Sequence, residues 1–201
     1  MTTALALLLA YLLGSIPTGL IIGKTFFKTD IREHGSGNLG GTNTFRVLGK
    51  PAGLIVSLID ILKGTAAVLL VLLPWFSDTA IHPLVLGAVA VIGHMYPVFA
   101  GFRGGKAVAT SAGVLLGYNW MFFLILLVLF FVFLKLTKMV SLTSILLSVT
   151  AFIMAVGSHF LIRPDIPLIL LISVLMLFIV YRHRANIGRI RQGNEPKISW
   201  I

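Results

Sequence analysis

The chain is a series of long apolar runs parted by short polar connections. The runs cover 3–23, 52–74, 84–100, 107–134, 140–158 and 166–181. Inside each run apolar residues follow one another without the period-two alternation of a barrel strand, so each run predicts helix. Pro51 falls where a first-turn proline is tolerated, and Trp75, Pro83 and Pro164 mark ends. In the first run Pro17, flanked by Gly14, Ser15 and Gly19, predicts a kink. No Lys or Arg precedes Lys24, so this run lacks the positive start of a secretory signal and reads as a retained helix. There is no repeat at solenoid spacing and no low-complexity segment.

Composition turns this pattern into a class. Of 201 residues, 58% are hydrophobic and 11% charged, whereas a soluble domain carries roughly 25% charge. The chain lacks the polar groups to cover a water-facing surface, which excludes a soluble enzyme, a disordered chain and a nucleic-acid module. The absence of cysteine excludes a disulfide framework, a thiolate metal site and a covalent thioester route. The expected fold is an all-α polytopic integral membrane protein: one domain over 1–201, a compact bundle embedded in the lipid bilayer.

Charge decides how often the chain crosses. The run 107–134 would make a helix of about 42 Å at 1.5 Å per residue, against a hydrocarbon core of roughly 30 Å. It is either one long tilted helix or two spans broken near Gly117-Tyr118-Asn119-Trp120. With Lys24, Lys28, Arg32, Arg46 and Lys50 placed inside, Arg103 and Lys106 return to the inside two spans later. A single crossing of 107–134 would leave Lys135, Lys138, Arg182, Arg184, Arg189 and Arg191 outside. Two crossings bring them all inside and leave Arg163 as the only outer basic residue. The positive-inside rule selects the second arrangement. The expectation is seven transmembrane helices (3–23, 52–74, 84–100, 107–117, 120–134, 140–158, 166–181), with the N-terminus outside and the C-terminus cytoplasmic. The short span 107–117 must tilt or lie where the protein is thin.

Candidate chemistry gathers on the inner face. The first connection holds His34-Gly35-Ser36-Gly37-Asn38-Leu39-Gly40-Gly41-Thr42-Asn43, then Arg46. Its glycines let the backbone turn N–H groups toward a ligand. Thr42 or Asn43 can cap a short helix carrying Arg46, with Gly49 as its stop. The alternative is a flexible loop, but a plain linker has no need of Ser, Asn and Thr set among glycines. The second connection, Gly101 to Ala107, leads Gly104-Gly105-Lys106 into a helix N-terminus, a ready anion site. It is not a Walker A loop, because the spacing is wrong and Ala107 replaces the magnesium-binding hydroxyl. Lys106 also reads as a positive-inside anchor. In the tail, a continuing helix would align Arg182, Asn186 and Arg189 and put His183 on the face of Asn186. The alternative there is a polybasic stop on anionic lipid. Asp60 and Lys63, one turn apart, read as a structural pair, and Ser141 as the N-cap of the sixth span. With helix starts near Pro51, Lys106 and Ser141 on the same side, the sum is a site for phosphate dianions.

Three ordered stretches resemble the bacterial acyl-phosphate:glycerol-3-phosphate acyltransferases, the PlsY family. They are Ser36-Gly37-Asn38-Leu39-Gly40-Gly41-Thr42-Asn43; Gly93-His94-Met95-Tyr96-Pro97-Val98-Phe99 with Gly104-Gly105-Lys106-Ala107-Val108-Ala109-Thr110; and Tyr181-Arg182-His183-Arg184-Ala185-Asn186-Ile187. Tyr11 to Pro17 and Asp60 with Lys63-Gly64 also fit, and the likeness covers essentially the whole chain. One departure, Gly41 where alanine is expected, exchanges small for small. The resemblance implies transfer of a fatty acyl group from acyl phosphate to the sn-1 hydroxyl of glycerol 3-phosphate. The products are lysophosphatidic acid and inorganic phosphate, made at the cytoplasmic face of the bacterial inner membrane by a monomer. The His-x4-Asp pattern of acyl-CoA enzymes is absent; His159 with Asp165 is the nearest miss.

An acyl phosphate is already activated, so the resemblance implies no metal and no cofactor. The protein must hold two phosphates, align a hydroxyl with a carbonyl and stabilise an oxyanion. By resemblance Ser36, Arg46, Lys106, Ser141, His183 and Asn186 bind glycerol 3-phosphate, with Asn38, Thr42, Asn43 and Arg182 beside them. The backbones at 37–41 and Gly104–Gly105 cradle the acyl-phosphate head, and the acyl chain lies in a groove open to lipid. His183, Ser36, Lys106 and Asn186 form the expected catalytic set. His183 is the candidate base; the substrate's own phosphate is the other, and substrate assistance is the expectation. No Ser–His–acid set supports Ser36 as a nucleophile. The rival class is a transporter or flippase for phosphorylated metabolites. It fits poorly, because the spans read as carrying only Ser and Thr near mid-membrane and no ionisable group, whereas such proteins place charge or broken helices there.

Overall fold

The structure, a computed structural model, describes residues 1–76 and 79–198. All regular elements among them are helical. The chain forms two compact units, Met1–Trp120 and Met121–Ile201.

In the first unit α1 (Thr2–Ser15) and α2 (Thr18–Phe26) are separated at Ile16–Pro17 and bent by 45°. Proline lacks the N–H that would continue the ladder, so the expected kink is a full break. A short helix α3 (Gly41–Leu48) precedes α4 (Lys50–Leu69), α5 (Pro83–Met95) and α6 (Val108–Tyr118). Pro51 and Pro83 stand in first turns, where no N–H is needed. Helices approach closely where side chains are absent. A β-carbon on Gly14 would strike the Ala90 backbone, and one on Gly93 the Tyr11 carbonyl, which fixes α1 against α5. Gly113 against the Ile61 backbone and Gly64 against the Thr110 carbonyl do the same for α4 and α6. Small-residue contact is how helices pack when lipid removes the hydrophobic drive between them. Thr65 adds a hydrogen bond across this seam, Oγ1 to the Gly113 carbonyl at 2.9 Å.

The second unit holds α7 (Trp120–Thr137), α8 (Val140–Leu161), α9 (Ile166–Arg182) and α10 (Arg184–Arg191). The apolar run 107–134 is thus interrupted at Asn119, between α6 and α7. Asp165 caps α9, its Oδ1 accepting from Leu168 N at 3.0 Å. Helix α8 packs against α9 and buries the small stripe Ser144, Ser148, Ala151 and Ala155.

Leu54, Leu58 and Leu62 on α4, Val128 on α7, and Leu170 and Leu177 on α9 are all exposed. An apolar belt of this kind needs hydrocarbon around it. Four helical stretches among the described residues are long and apolar enough to cross a bilayer: Lys50–Leu72, Pro83–Ala100, Trp120–Thr137 and Val140–Leu161. Two more result if the bent pairs α1–α2 and α9–α10 each count as one span, and α6 is a shorter apolar helix.

Candidate active site

The polar loop before α3 is shaped by two side chains. Asp30 Oδ1 accepts from Arg32 N at 3.1 Å and Nε at 2.9 Å, and Oδ2 accepts from Nη2 at 2.6 Å. These bonds from Arg32 hold the Asp30 carboxyl well below the usual carboxylate range, against the upward push of burial. Asn43 does the rest. Its Oδ1 accepts from Ser36 N at 2.8 Å, and its Nδ2 donates to the Ile31 and His34 carbonyls at 3.0 and 3.1 Å. Ser36 stands exposed between Gly35 and Gly37, both at positive φ (61° and 67°), the region that favours glycine. Asn43 is buried and its amide is committed to three loop groups, so the geometry gives it a loop-shaping task. Helix α3 is capped by Gly40 rather than by Thr42 or Asn43; Thr44 Oγ1 donates to the Gly40 carbonyl at 3.2 Å. Thr42 is half-buried and Arg46 exposed on α3, which stops at Gly49 (φ 90°) as the sequence predicts.

The second glycine loop lies beside the first. Asn38 Oδ1 accepts from Gly40 N at 2.9 Å, and its Nδ2 reaches the Gly104 carbonyl at 3.4 Å. Gly104 and Gly105 are buried, and Gly105 N donates to the His94 carbonyl at 3.0 Å. Lys106 is half-buried. Ala107 caps α6 at φ 72°, a strained conformation for a residue with a β-carbon.

In the second unit the expected tail residues are arranged around a group that sequence reasoning missed. Glu195 has a fully buried side chain. Its Oε1 accepts from Ser141 Oγ and Asn186 Nδ2, both at 2.7 Å, and its Oε2 from Arg189 Nε at 2.8 Å. Burial pushes the Glu195 carboxyl up, but these three donors outweigh it and hold it below its ordinary value. Ile198 N donates to the Lys138 carbonyl at 2.8 Å, which fastens the tail beyond it. Ser141 is the second residue of α8, whose cap is Met139, so it is not the expected N-cap. The expected alignment of Arg182 with Asn186 and Arg189 does not form, because the helix breaks at His183 with a 57° bend. Buried His183 sits in the break with Nδ1 2.8 Å from the Ile179 carbonyl. A carbonyl only accepts, so Nδ1 carries the proton and Nε2 is the basic nitrogen of the neutral ring. Arg182 is half-buried, and the exposed Arg184 lies over the Tyr181 ring. The legible signal for Glu195 was its isolation: it is the only acid after Asp165.

Among the described residues no three His, Asp or Glu side chains are placed to hold a metal ion. Each unit thus presents its own half of the expected set. Ser36, Asn38, Thr42, Asn43, Arg46, Gly104, Gly105 and Lys106 belong to the first, and Ser141, Arg182, His183 and Asn186 to the second.

The outward apolar belt and the helix lengths define a multi-pass membrane protein. A family model for glycerol-3-phosphate acyltransferase matches residues 4–193, and the chain belongs to that family. The glycerol-3-phosphate acyltransferase of Geobacillus kaustophilus (strain HTA426) is 57% identical over 198 residues, covering 98% of this chain and 97% of its own. That of Bacillus subtilis (strain 168) is 51% identical over 201 residues, covering 100% of both. The crystal structure of PlsY (YgiH), an integral membrane glycerol 3-phosphate acyltransferase in its glycerol 3-phosphate form, matches with a TM-score of 0.88 at 35% identity. The match covers 99% of this chain and 96% of that one.

Proposed function

We propose that the protein transfers a fatty acyl group from acyl phosphate to the sn-1 hydroxyl of glycerol 3-phosphate. The products are lysophosphatidic acid and inorganic phosphate, in the first acylation of bacterial phospholipid synthesis. The reading rests on the Asn38–Gly104 bridge, which ties two glycine-rich loops into one backbone-lined surface beside Lys106. Backbone N–H groups and an ammonium at the start of α6 suit a phosphate. On the family resemblance we assign Ser36, Arg46, Lys106, Ser141, His183 and Asn186 to glycerol 3-phosphate. Ser141 spends its single O–H on Glu195, so its oxygen accepts from a ligand and suits a glycerol hydroxyl rather than a phosphate oxygen.

The hydroxyl oxygen attacks the acyl carbonyl carbon, the new ester bond forms, the bond from that carbon to the bridging oxygen breaks, and inorganic phosphate leaves carrying that oxygen. The hydroxyl proton passes either to the phosphate of glycerol 3-phosphate or to His183. The fixed Nδ1–H of His183 gives the second route a specific support, since Nε2 is then the basic nitrogen. If His183→Gln abolishes the chemical step while glycerol 3-phosphate still binds, His183 is the base and substrate assistance falls.

The topology in this proposal is seven spans in a single domain, with the loops and tail at the cytoplasmic face of the inner membrane and the chain a monomer. The test mixes purified protein, palmitoyl phosphate and glycerol 3-phosphate without metal and measures inorganic phosphate. The proposal expects release that is lost in Lys106→Ala. A folded protein that releases none, but moves phosphorylated metabolites into proteoliposomes, would be a transporter instead.

A further inference from the structure

The first unit holds a buried ionic cluster that the chemistry above does not use. Asp60 and Lys63 stand one turn apart on α4, their side chains 2% and 4% exposed, with Oδ1 and Nζ 2.8 Å apart. Asp60 lies about 15 Å along α4 from Lys50 at 1.5 Å per residue, inside the apolar span and not at its inner end, which corrects the expectation of no ionisable group near mid-membrane. Charges at that depth persist only where their partners are built in. Here the partners come from three directions. Lys63 Nζ donates to the Ile16 carbonyl at 3.0 Å, at the break between α1 and α2. Thr18 Oγ1 donates to Asp60 Oδ1 at 3.1 Å, and His94 Nδ1 lies 3.8 Å from the same oxygen. A cavity with room for about one water lies among these groups and is lined also by Leu39, Gly104 and Gly105.

A carbonyl at a helix break and a carboxylate beside it are the ligands that ion-coupled transporters offer to a free cation. Here a tethered ammonium holds the place and cannot leave, which suits a permanent support. What it supports is visible at His94. A β-carbon on Gly105 would run into the His94 ring, and one on Gly104 into the His94 carbonyl, which also accepts from Gly105 N at 3.0 Å. The imidazole lies between Asp60 and the residue that precedes Lys106.

We propose that Asp60, Lys63 and His94 are positioning residues for the Gly104–Gly105–Lys106 loop, joining the α1–α2 break to the surface that receives phosphate. Lys63 clamps the break to α4, Asp60 holds Lys63 and faces His94, and the His94 ring sets the height of the glycine backbone. This rests on the phosphate-binding role proposed above for the loop.

A pair that serves packing alone is replaceable: removing both charges with side chains of similar volume leaves the fold as stable or more so. The test is therefore the double variant Asp60→Asn/Lys63→Met, with His94→Asn as a second variant that removes no formal pair. Thermal unfolding in detergent, calorimetric binding of glycerol 3-phosphate and of inorganic phosphate, and steady-state kinetics with palmitoyl phosphate are measured for each. The expected result is folded protein that binds both phosphate compounds about tenfold more weakly, with KM rising more than kcat falls. Lys63→Arg, which keeps a cation within reach of Ile16, recovers most of the affinity. Parent-like binding and KM in the folded double variant overturn the proposal, as does loss of folding in both variants, which would make the cluster a packing element. A parent that binds both compounds but releases no phosphate from palmitoyl phosphate removes the acyl-donor reading and leaves this inference to the binding data. A parent that binds neither overturns it.

Discussion

Replacing Glu195 by alanine should loosen the C-terminal segment before it affects anything else. Three donors converge on its buried carboxylate: Ser141, Asn186 and Arg189. Hydrogen bonds to a charged group contribute about 1.5–3 kcal/mol each. Arg189 is 36% exposed, so its share is screened to about 1 kcal/mol. Ser141 and Asn186 are buried, and alanine would strand their donors, but the desolvation of the carboxylate offsets part of the gain. The net cost of Glu195→Ala is about 3 kcal/mol, or roughly 6–12 °C in Tm at 2–4 °C per kcal/mol for a chain of this size. Hydrogen exchange locates the loss. The amides of Asn194 and Ile198, which donate to the Arg189 and Lys138 carbonyls, should lose protection while α4 keeps its own. Acid gives an independent arm. The folded pKa of Glu195 is depressed, so its contribution is present above the unfolded value of about 4.3 and is lost as pH falls through the folded one. The alanine variant should lack that step. Unchanged Tm and unchanged exchange at Asn194 and Ile198 would refute the reasoning.

Gly105→Ala should raise KM for a phosphate substrate by about tenfold or more, because its methyl group meets the His94 ring; parent kinetics would mean that the loop shifts freely. Asn43→Asp should disorder the Ser36 loop at a cost of about 2–4 kcal/mol, since a carboxylate cannot donate to the Ile31 and His34 carbonyls. Limited proteolysis between residues 30 and 40 checks it. Single cysteines at 138 and 191 in this thiol-free chain should be protected from impermeant reagents outside the cell; outside labelling at either would remove the seven-span topology.

Much of the fold was legible because a bilayer leaves few ways to satisfy a backbone. Apolar runs with little room for water must be helices, and the breakers Pro17 and Asn119 both interrupt helix where the sequence placed a kink or a gap. Caps were read less well. Gly40 caps α3, although Thr42 and Asn43 are the better intrinsic formers. The reason is tertiary: Asn43 is drawn away to hold Ile31, His34 and Ser36. Tail geometry failed for a related cause. Helical periodicity assumes an unbroken helix, and the helix bends by 57° at His183, whose ring lies against the Ile179 carbonyl.

The loops of the candidate site were found from residue type, while their supports were not, and the difference is physical. Glycine, serine and lysine in a short polar stretch announce a surface that meets an anion. A lone acid can be noticed by its isolation, but its role is not readable until its donors are known. Asp60 looked like half of a helical pair because Lys63 sits one turn away, yet the contacts that set its role come from Ile16, Thr18 and His94, which are remote in sequence. Glu195, which the sequence reading passed over, takes the hydroxyl proton of Ser141 as a hydrogen bond and thereby sets which way that oxygen can serve a ligand. In both places a carboxylate fixes groups that are themselves cationic or polar. In the proposed site a chain of net charge +10 would then meet phosphate with a loop positioned through Asp60 instead of a diffuse positive field. Neutralising Asp60 should then weaken phosphate binding even though it makes the protein more positive. Simple charge attraction predicts the opposite sign, so the direction of that change separates geometry from net charge as the source of affinity.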